Sequence, residues 1–162
     1  MFDRLNEHDI TSLRQLWTGS TVEYFPDATC RGGDEVAAYF ADKFTAIEDF
    51  HLEVLAVAES GDDAFVHWRM TGRHIGLLLG ITGTGKEIEL DGIDHFVLRD
   101  GKVGTNTVVF DQMTFARQVG LLPPDGSVAD KALKGAFNAK TRVATFARRR
   151  LGHSTASPTL PG

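Results

Sequence analysis

Glu87-Ile-Glu-Leu-Asp-Gly-Ile-Asp94-His-Phe-Val-Leu-Arg-Asp100-Gly101-Lys-Val-Gly-Thr-Asn-Thr-Val-Val-Phe110-Asp111-Gln is the stretch whose reading decides the fold. Two runs rich in β-branched and aromatic residues flank Asp100-Gly101, a dipeptide suited to the positive-φ positions of a tight hairpin. The pattern predicts strands over Glu87 to Leu98 and Val103 to Phe110. Two carboxylates, Asp94 and Asp111, fall where strand residues are usually apolar or β-branched. Burying a carboxylate is costly unless it is paired or protonated, so both positions are candidates for chemistry.

Working outward, His51 to Glu59 and Ala64 to Arg73 read as two further strands joined by Ser60-Gly-Asp-Asp. The second alternates, with Val66, Trp68 and Met70 on one face and His67 and Arg69 on the other. Before them, Leu5 to Trp17 is helical with a break at Asn6-Glu-His-Asp, and Asp9 can cap the second piece. Thr21 to Phe25 is β-rich and ends at Pro26-Asp27. Gly32-Gly33-Asp34 opens a helix with Val36, Ala37, Tyr39, Phe40, Phe44 and Ile47 near period 3.6. After the hairpin, Gln112 to Gly120 is a short helix, and Ser127 can cap a helix reaching about Arg150. Residues 153–162, rich in Ser, Thr and Pro, are expected to be disordered. Helices first and a meandering antiparallel sheet after make an α+β domain over residues 1–122, with a helical extension over 123–152.

Composition narrows the function classes. The 162 residues are 42% hydrophobic and 24% charged, ordinary for a globular chain. A single cysteine, Cys30, excludes an intramolecular disulfide framework and fits a reducing compartment. No apolar run approaches a membrane span. Met1-Phe-Asp-Arg has no leader character, so the chain is expected in the cytoplasm. The net charge of −5 hides a basic C-terminal part, where Lys131, Lys134, Lys140, Arg142, Arg148, Arg149 and Arg150 face only Asp125 and Asp130. The acidic remainder argues against nucleic acid as the main partner. No spacing suggests a metal site.

The order of elements resembles the nuclear-transport-factor-2-like fold, a cone of curved antiparallel sheet whose helices enclose a pocket. Within it, the T-G-x-H-x-G-x-x-x-G-I-x-x-T-G run from Thr71, then Asp94, D-G-K, F-D-Q and R-Q-x-G-L-L-P resemble the SnoaL-like polyketide cyclase family. The resemblance runs from about Leu5 to Leu122. It implies a cofactor-free enzyme that closes a ring on a hydrophobic carbonyl compound by an intramolecular aldol step. The resemblance implies as well that a strand Asp serves as the acid or base, and that the protein is a homodimer. Family members usually open with a longer first helix than Met1 to Leu5 provides, so the expectation is either a start misassigned downstream of the true one or a more open pocket. Ile93-Asp94-His95-Phe96 also resembles the strand that gives ketosteroid isomerases a protonated Asp, an enzyme the handling of raised carboxyl pKa values is often taught from. The isomerase's general-base position is occupied here by Tyr24 within Val22-Glu23-Tyr24-Phe25, and Met1 stands where its first-helix Tyr would be. Only the acid position carries over.

The hairpin register ranks the two carboxylates. With a two-residue turn at Asp100-Gly101, Asp94 faces Thr107 and Asp111 shares its face. With a three-residue bulged turn, Asp94 faces Asn106, Val108 and Phe110 lie on its side, and Asp111 lies behind. The second register matches the isomerase-like pattern. Asp94, Asp111 and His74 are therefore the candidate catalytic residues. Tyr24, Trp68, Met70, Phe96 and Asn106 are candidate substrate-binding walls. Against these stand plainer roles: Asp111 as the cap of the following helix, His74 as a loop-ordering residue, and the apolar walls as core. His95 should point to the outer face.

Two motifs are set aside. Gly80 to Lys86 fits a phosphate loop in letters, but Glu87 replaces the required Ser/Thr and a strand follows. Gly92 stands where epoxide hydrolases of this fold carry the Arg of an R-x-D pair. The competing reading is a non-catalytic small-molecule-binding or dimerisation module of the same fold. A partner-binding role for the basic C-terminal helix is the third.

Overall fold

A two-residue turn and an unplanned bulge set the geometry of the central hairpin in the computed structural model, which describes residues 1–152. Strands Glu87–Arg99 and Lys102–Phe110 pair antiparallel, with Arg99 opposite Lys102 and positive φ at Asp100 and Gly101. Between the pairs Leu98–Val103 and Val97–Thr105 the register slips, leaving Gly104 as the extra residue. Asp94 then pairs with Val108. The hairpin therefore has the turn of one anticipated register and the facing of the other. Asn106, Val108 and Phe110 lie on the face of Asp94, and Asp111 lies off it.

Numbered in chain order, the strands are β1 (Val22–Tyr24), β2 (Thr29–Arg31), β3 (Ile47–Ser60), β4 (Asp63–His74), β5 (Glu87–Arg99) and β6 (Lys102–Phe110). They form one sheet in the order β2-β1-β6-β5-β4-β3. The expectation of an all-antiparallel sheet needs one correction, because β1 runs parallel to β6, with Glu23 opposite Asn106. The N-terminal strand extends the sheet beyond the hairpin, where only its other edge is free to pair with β2. Three-residue strands such as β2 are too short to show alternation in sequence. Register shifts between Glu48 and His51 and between Val54 and Ala56 bend β3, so the sheet curves without closing.

Strict alternation divides the sheet into two faces. Along β5 the buried residues are Ile88, Leu90, Gly92, Asp94 and Phe96, while Glu89, Asp91 and Ile93 are exposed. Along β4, Val66, Trp68, Met70 and His74 are buried in the same phase. The helices α1 (Phe2–Asn6), α2 (Ile10–Leu13) and α3 (Gly32–Ala46) contribute Leu5, Leu13, Val36 and Ala37 to the core that this inner face builds. Asp9 caps α2 by accepting from Ser12 N at 3.0 Å. The α2 segment is shorter than its apolar pattern suggests and continues as a 3₁₀ turn, Arg14–Leu16. Ile47, the last member of the helical stripe in sequence, is instead the first residue of β3.

Asn6 ties α1 to the sheet: its side chain accepts from Leu52 N at 2.7 Å and donates to Leu52 O at 2.9 Å. Both backbone groups are thereby satisfied at the β3 edge, and Phe2 and Leu5 are held over the inner face. α4 (Gln112–Gln118) follows β6 directly and buries Phe115.

The chain divides into two compact units, 1–121 and one beginning at Leu122. The second contains α5 (Val128–Gly152), whose first turn is capped by Ser127 Oγ accepting from Asp130 N at 3.1 Å. The proposed disorder of 153–162 lies outside the described residues. No helix among the described residues is long and apolar enough to cross a membrane.

Candidate active site

Alternation on β4, β5 and β6 directs Trp68, Met70, Leu90, Asp94, Val108 and Phe110 toward one another, and α1 and α3 cover them with Phe2, Leu5, Tyr39, Phe40 and Lys43. The cavity, partly open to solvent, has a free volume of about 90 Å³, and among the described residues Asp94 is the only carboxyl in its lining. Two other polar residues at its wall are turned elsewhere. Tyr39 Oη and Lys43 Nζ each donate to the Asp27 carboxylate at 2.9 Å.

Trp68 Nε1 donates to Asp94 Oδ1 at 3.1 Å. This contact depends on Gly92. Trp68 and Gly92 are direct cross-strand partners, and a Cβ at Gly92 would lie 2.2 Å from Trp68 Cζ2. The absent Arg at this position and the hydrogen bond to Asp94 are therefore one structural fact: only a residue without a side chain leaves room for the indole. Burial pushes the Asp94 carboxyl up to about 7, and hydrogen bonds from Trp68 and Asn106 hold it from rising further.

Behind Asp94 lies a second buried acid that the sequence reading passed over. Glu23, on β1, is fully buried opposite Asn106. Asn106 Nδ2 donates to Glu23 Oε2 at 3.4 Å. Burial raises the Glu23 carboxyl to about 7, the Asn106 amide works against that, and Asp94 adds like-charge repulsion. Trp17 also favours its charged form, although Trp17 Nε1 completes no hydrogen bond. The available signal was parity: in a strand that begins at Val22, Glu23 and Tyr24 cannot both point inward.

The remaining candidates separate from the cavity. Tyr24 points to the outer face and is 43% exposed, which removes it as a wall. Asn106 and Phe96 are buried on the inner face without lining the cavity; Asn106 lies between the two acids. His74 is fully buried, but at the far end of β4. Its Nδ1 meets Thr84 Oγ1 at 3.2 Å, its ring stands edge-on to Phe115, and its carbonyl accepts from Thr84 N and Gly85 N. It orders the loop before β5 and does not reach the cavity.

Asp111 is the cap of α4. Its Oδ1 accepts from Met113 N at 2.8 Å and Thr114 N at 3.1 Å, and its Oδ2 accepts from Thr114 Oγ1 at 2.8 Å. These donors hold its carboxyl below the usual carboxylate range. It borders an open groove with Glu89, Asp91 and Gln118, away from the cavity. His95 lies on the outer face, stacked on Phe65 and 2.6 Å from Asp63 Oδ1.

The family model for SnoaL-like polyketide cyclase matches residues 1–119. TsrD from Streptomyces laurentii superposes with a TM-score of 0.69 at 26% identity, covering 75% of this chain and 90% of TsrD. A protein from Jannaschia sp. CCS1, described as a candidate SnoaL-like polyketide cyclase, gives 0.68 at 22% identity, covering 75% and 88%. AclR from Streptomyces galilaeus, described as a candidate hydroxylase, gives 0.65 at 21% identity, covering 75% and 91%. The last two likenesses show the fold alone. No curated protein matches the sequence.

Proposed function

The chain belongs to the SnoaL-like polyketide cyclase family, and from that premise we propose that it is an acid–base enzyme acting on a hydrophobic carbonyl compound. The observation that carries the reading is Asp94: a single carboxyl in an apolar cavity, poised near 7 and oriented by Trp68. A group that changes charge near the working pH can both accept and return a proton. In the proposed step the Asp94 carboxylate removes a proton from a carbon between two carbonyls. The electron pair left on that carbon attacks a second carbonyl of the same molecule, closing a ring. The protonated Asp94 then donates to the alkoxide that forms. Only a proton moves between enzyme and substrate, so the step as written calls on no cofactor. The aromatic lining would fold an extended substrate so that its two reacting carbons meet. Return of the proton to a different carbon of the enolate would give an isomerase-like outcome at the same site.

The test is deuterium exchange into a hydrophobic 1,3-dicarbonyl probe. Wild-type protein should accelerate exchange, with the rate falling below about pH 7, and Asp94→Asn should lose roughly 100-fold or more. Binding of the probe without any acceleration would instead support the non-catalytic binding module. That alternative is favoured by Tyr24, which leaves the isomerase base position turned out of the cavity.

We further propose that the partner is a second copy of the chain. On the outer face, Tyr24, Thr107, His95 and Phe65 lie in register across β1, β6, β5 and β4. Ile93 and Val109 extend this band as exposed apolar side chains. Sedimentation of wild type against Ile93→Glu should show loss of a dimer.

A further inference from the structure

Two buried acids on one sheet face need an explanation that a single catalytic carboxyl does not provide. Glu23, Asn106 and Asp94 lie on three successive strands, β1, β6 and β5, and all point inward. Glu23 and Asn106 are direct partners, and Asn106 is offset by two residues from Val108, the partner of Asp94. The amide of Asn106 donates to Glu23 Oε2 at 3.4 Å, and it favours the charged form of Asp94 as well.

The polar atoms here are short of donors. Glu23 Oε1 and Asn106 Oδ1 are both buried acceptors without a partner. Buried acceptors left in this way are costly, and a proton on one carboxyl turns an acceptor into the missing donor. Among the described residues no cation offsets a second charge: Glu23 is influenced by Asn106, Asp94 and Trp17, and Asp94 by Trp68 and Asn106. Other titratable groups nearby do not supply one. Cys30, opposite Glu23 on β2, is a buried thiol, and Tyr39 of α3 is a half-buried phenol donating to Asp27. Lys43 of α3 is committed to Asp27, and His74 stands at the far end of β4. Two like charges in such a site cannot both be held.

We propose that Glu23 and Asp94 work as one carboxyl pair, joined through the Asn106 amide and carrying a single negative charge at neutral pH. Glu23 is then a positioning residue that governs when Asp94 ionises. An amide suits this link because it offers its NH₂ to the charged carboxyl and its oxygen to the protonated one. When Asp94 takes a proton from substrate, both carboxyls are neutral and the negative charge lies on the substrate, until Asp94 gives that proton to the alkoxide and is ionised again.

The pair's use in catalysis rests on the acid–base reading of Asp94. Its existence does not, so the test is a titration without turnover. Carboxyl ¹³C shifts of Asp94 and Glu23 would be followed from about pH 4 to about pH 10. In wild type both resonances should show two inflections at shared midpoints. In Glu23→Gln, which keeps the side chain's shape, Asp94 should titrate in one step with its midpoint roughly one pH unit lower. A purely structural Glu23 would change the melting temperature and leave that midpoint in place. Independent single-step curves in wild type, or an unmoved Asp94 midpoint in Glu23→Gln, would overturn the proposal. The wild-type curves decide it alone should the variant not fold.

Discussion

Asp94 sits in the middle of β5 and shares an apolar cavity with Trp68, Val108 and Phe110, whereas Asp111 sits one residue past β6 with its carboxyl folded onto the first turn of α4. The side chains are chemically identical, and their surroundings drive them in opposite directions. Desolvation raises Asp94 to about 7. Three hydrogen bonds from Thr114 and Met113, with the charge of Arg117, lower Asp111. One carboxyl is held where either charge state is accessible, and the other is held as a permanent anion. The difference teaches that a carboxylate at a strand end reads as a cap first, and one in a strand middle reads as chemistry first.

The sharpest way to break this comparison is to remove each charge in turn. Asp94→Asn should cost roughly 100-fold or more in the exchange rate, while Asp111→Asn should stay within a few fold. Equal losses would mean that the groove at Asp111 takes part in the chemistry.

Stability should separate them as well. The folded-state value of Asp94 is raised, so the native protein binds the proton more tightly than the unfolded chain. Asp94 therefore weakens the fold as pH rises from about 4 to about 7, and the penalty is constant above that. Asp94→Asn should then be more stable than wild type at pH 8, by about 2–4 kcal/mol, and no more stable at pH 4. Urea unfolding at the two pH values reads this directly. A stability gain that persists at pH 4 would place its origin in packing.

Gly92→Ala tests the positioning of Asp94 by Trp68. The added Cβ would lie 2.2 Å from the indole ring, so the ring that donates to Asp94 must shift. The expected cost is about 1–3 kcal/mol by thermal or chemical unfolding. Trp68→Phe removes the donor with less change of volume, and the exchange-rate midpoint should move to higher pH by a fraction of a unit.

The smallest effect belongs to Asp111→Ala. Loss of the cap should lower the melting temperature by a few degrees at neutral pH. The folded-state value of Asp111 is depressed, so its contribution is present above the ordinary Asp value near 3.8 and is lost as pH falls through the lower folded value. The melting temperatures of variant and wild type should converge in acid.

Much of this architecture was legible because its signals are local. The Asp100-Gly101 turn, the alternation of Val66, Trp68 and Met70, the caps at Asp9 and Ser127, and the apolar period of α3 each depend on residues close in sequence. The parallel pairing of β1 with β6 and the short strand β2 were not legible, since neither has a pattern long enough to repeat. The candidate site was half legible. Asp94, Trp68 and Met70 followed from parity and resemblance, while Tyr24, His74 and Asp111 satisfied the same criteria of residue type and fell outside the cavity.

Sequence alone determined that this chain builds an α+β domain of one family, with strand carboxylates that demand an account. It could do so because period, turn chemistry and motif spacing are properties of neighbouring residues. Only the tertiary structure decided which acid meets the cavity, and that Glu23 stands behind it. A one-residue slip at Gly104 sets which face the β6 side chains from Thr105 to Phe110 take, and the choice lies in how six strands pack together.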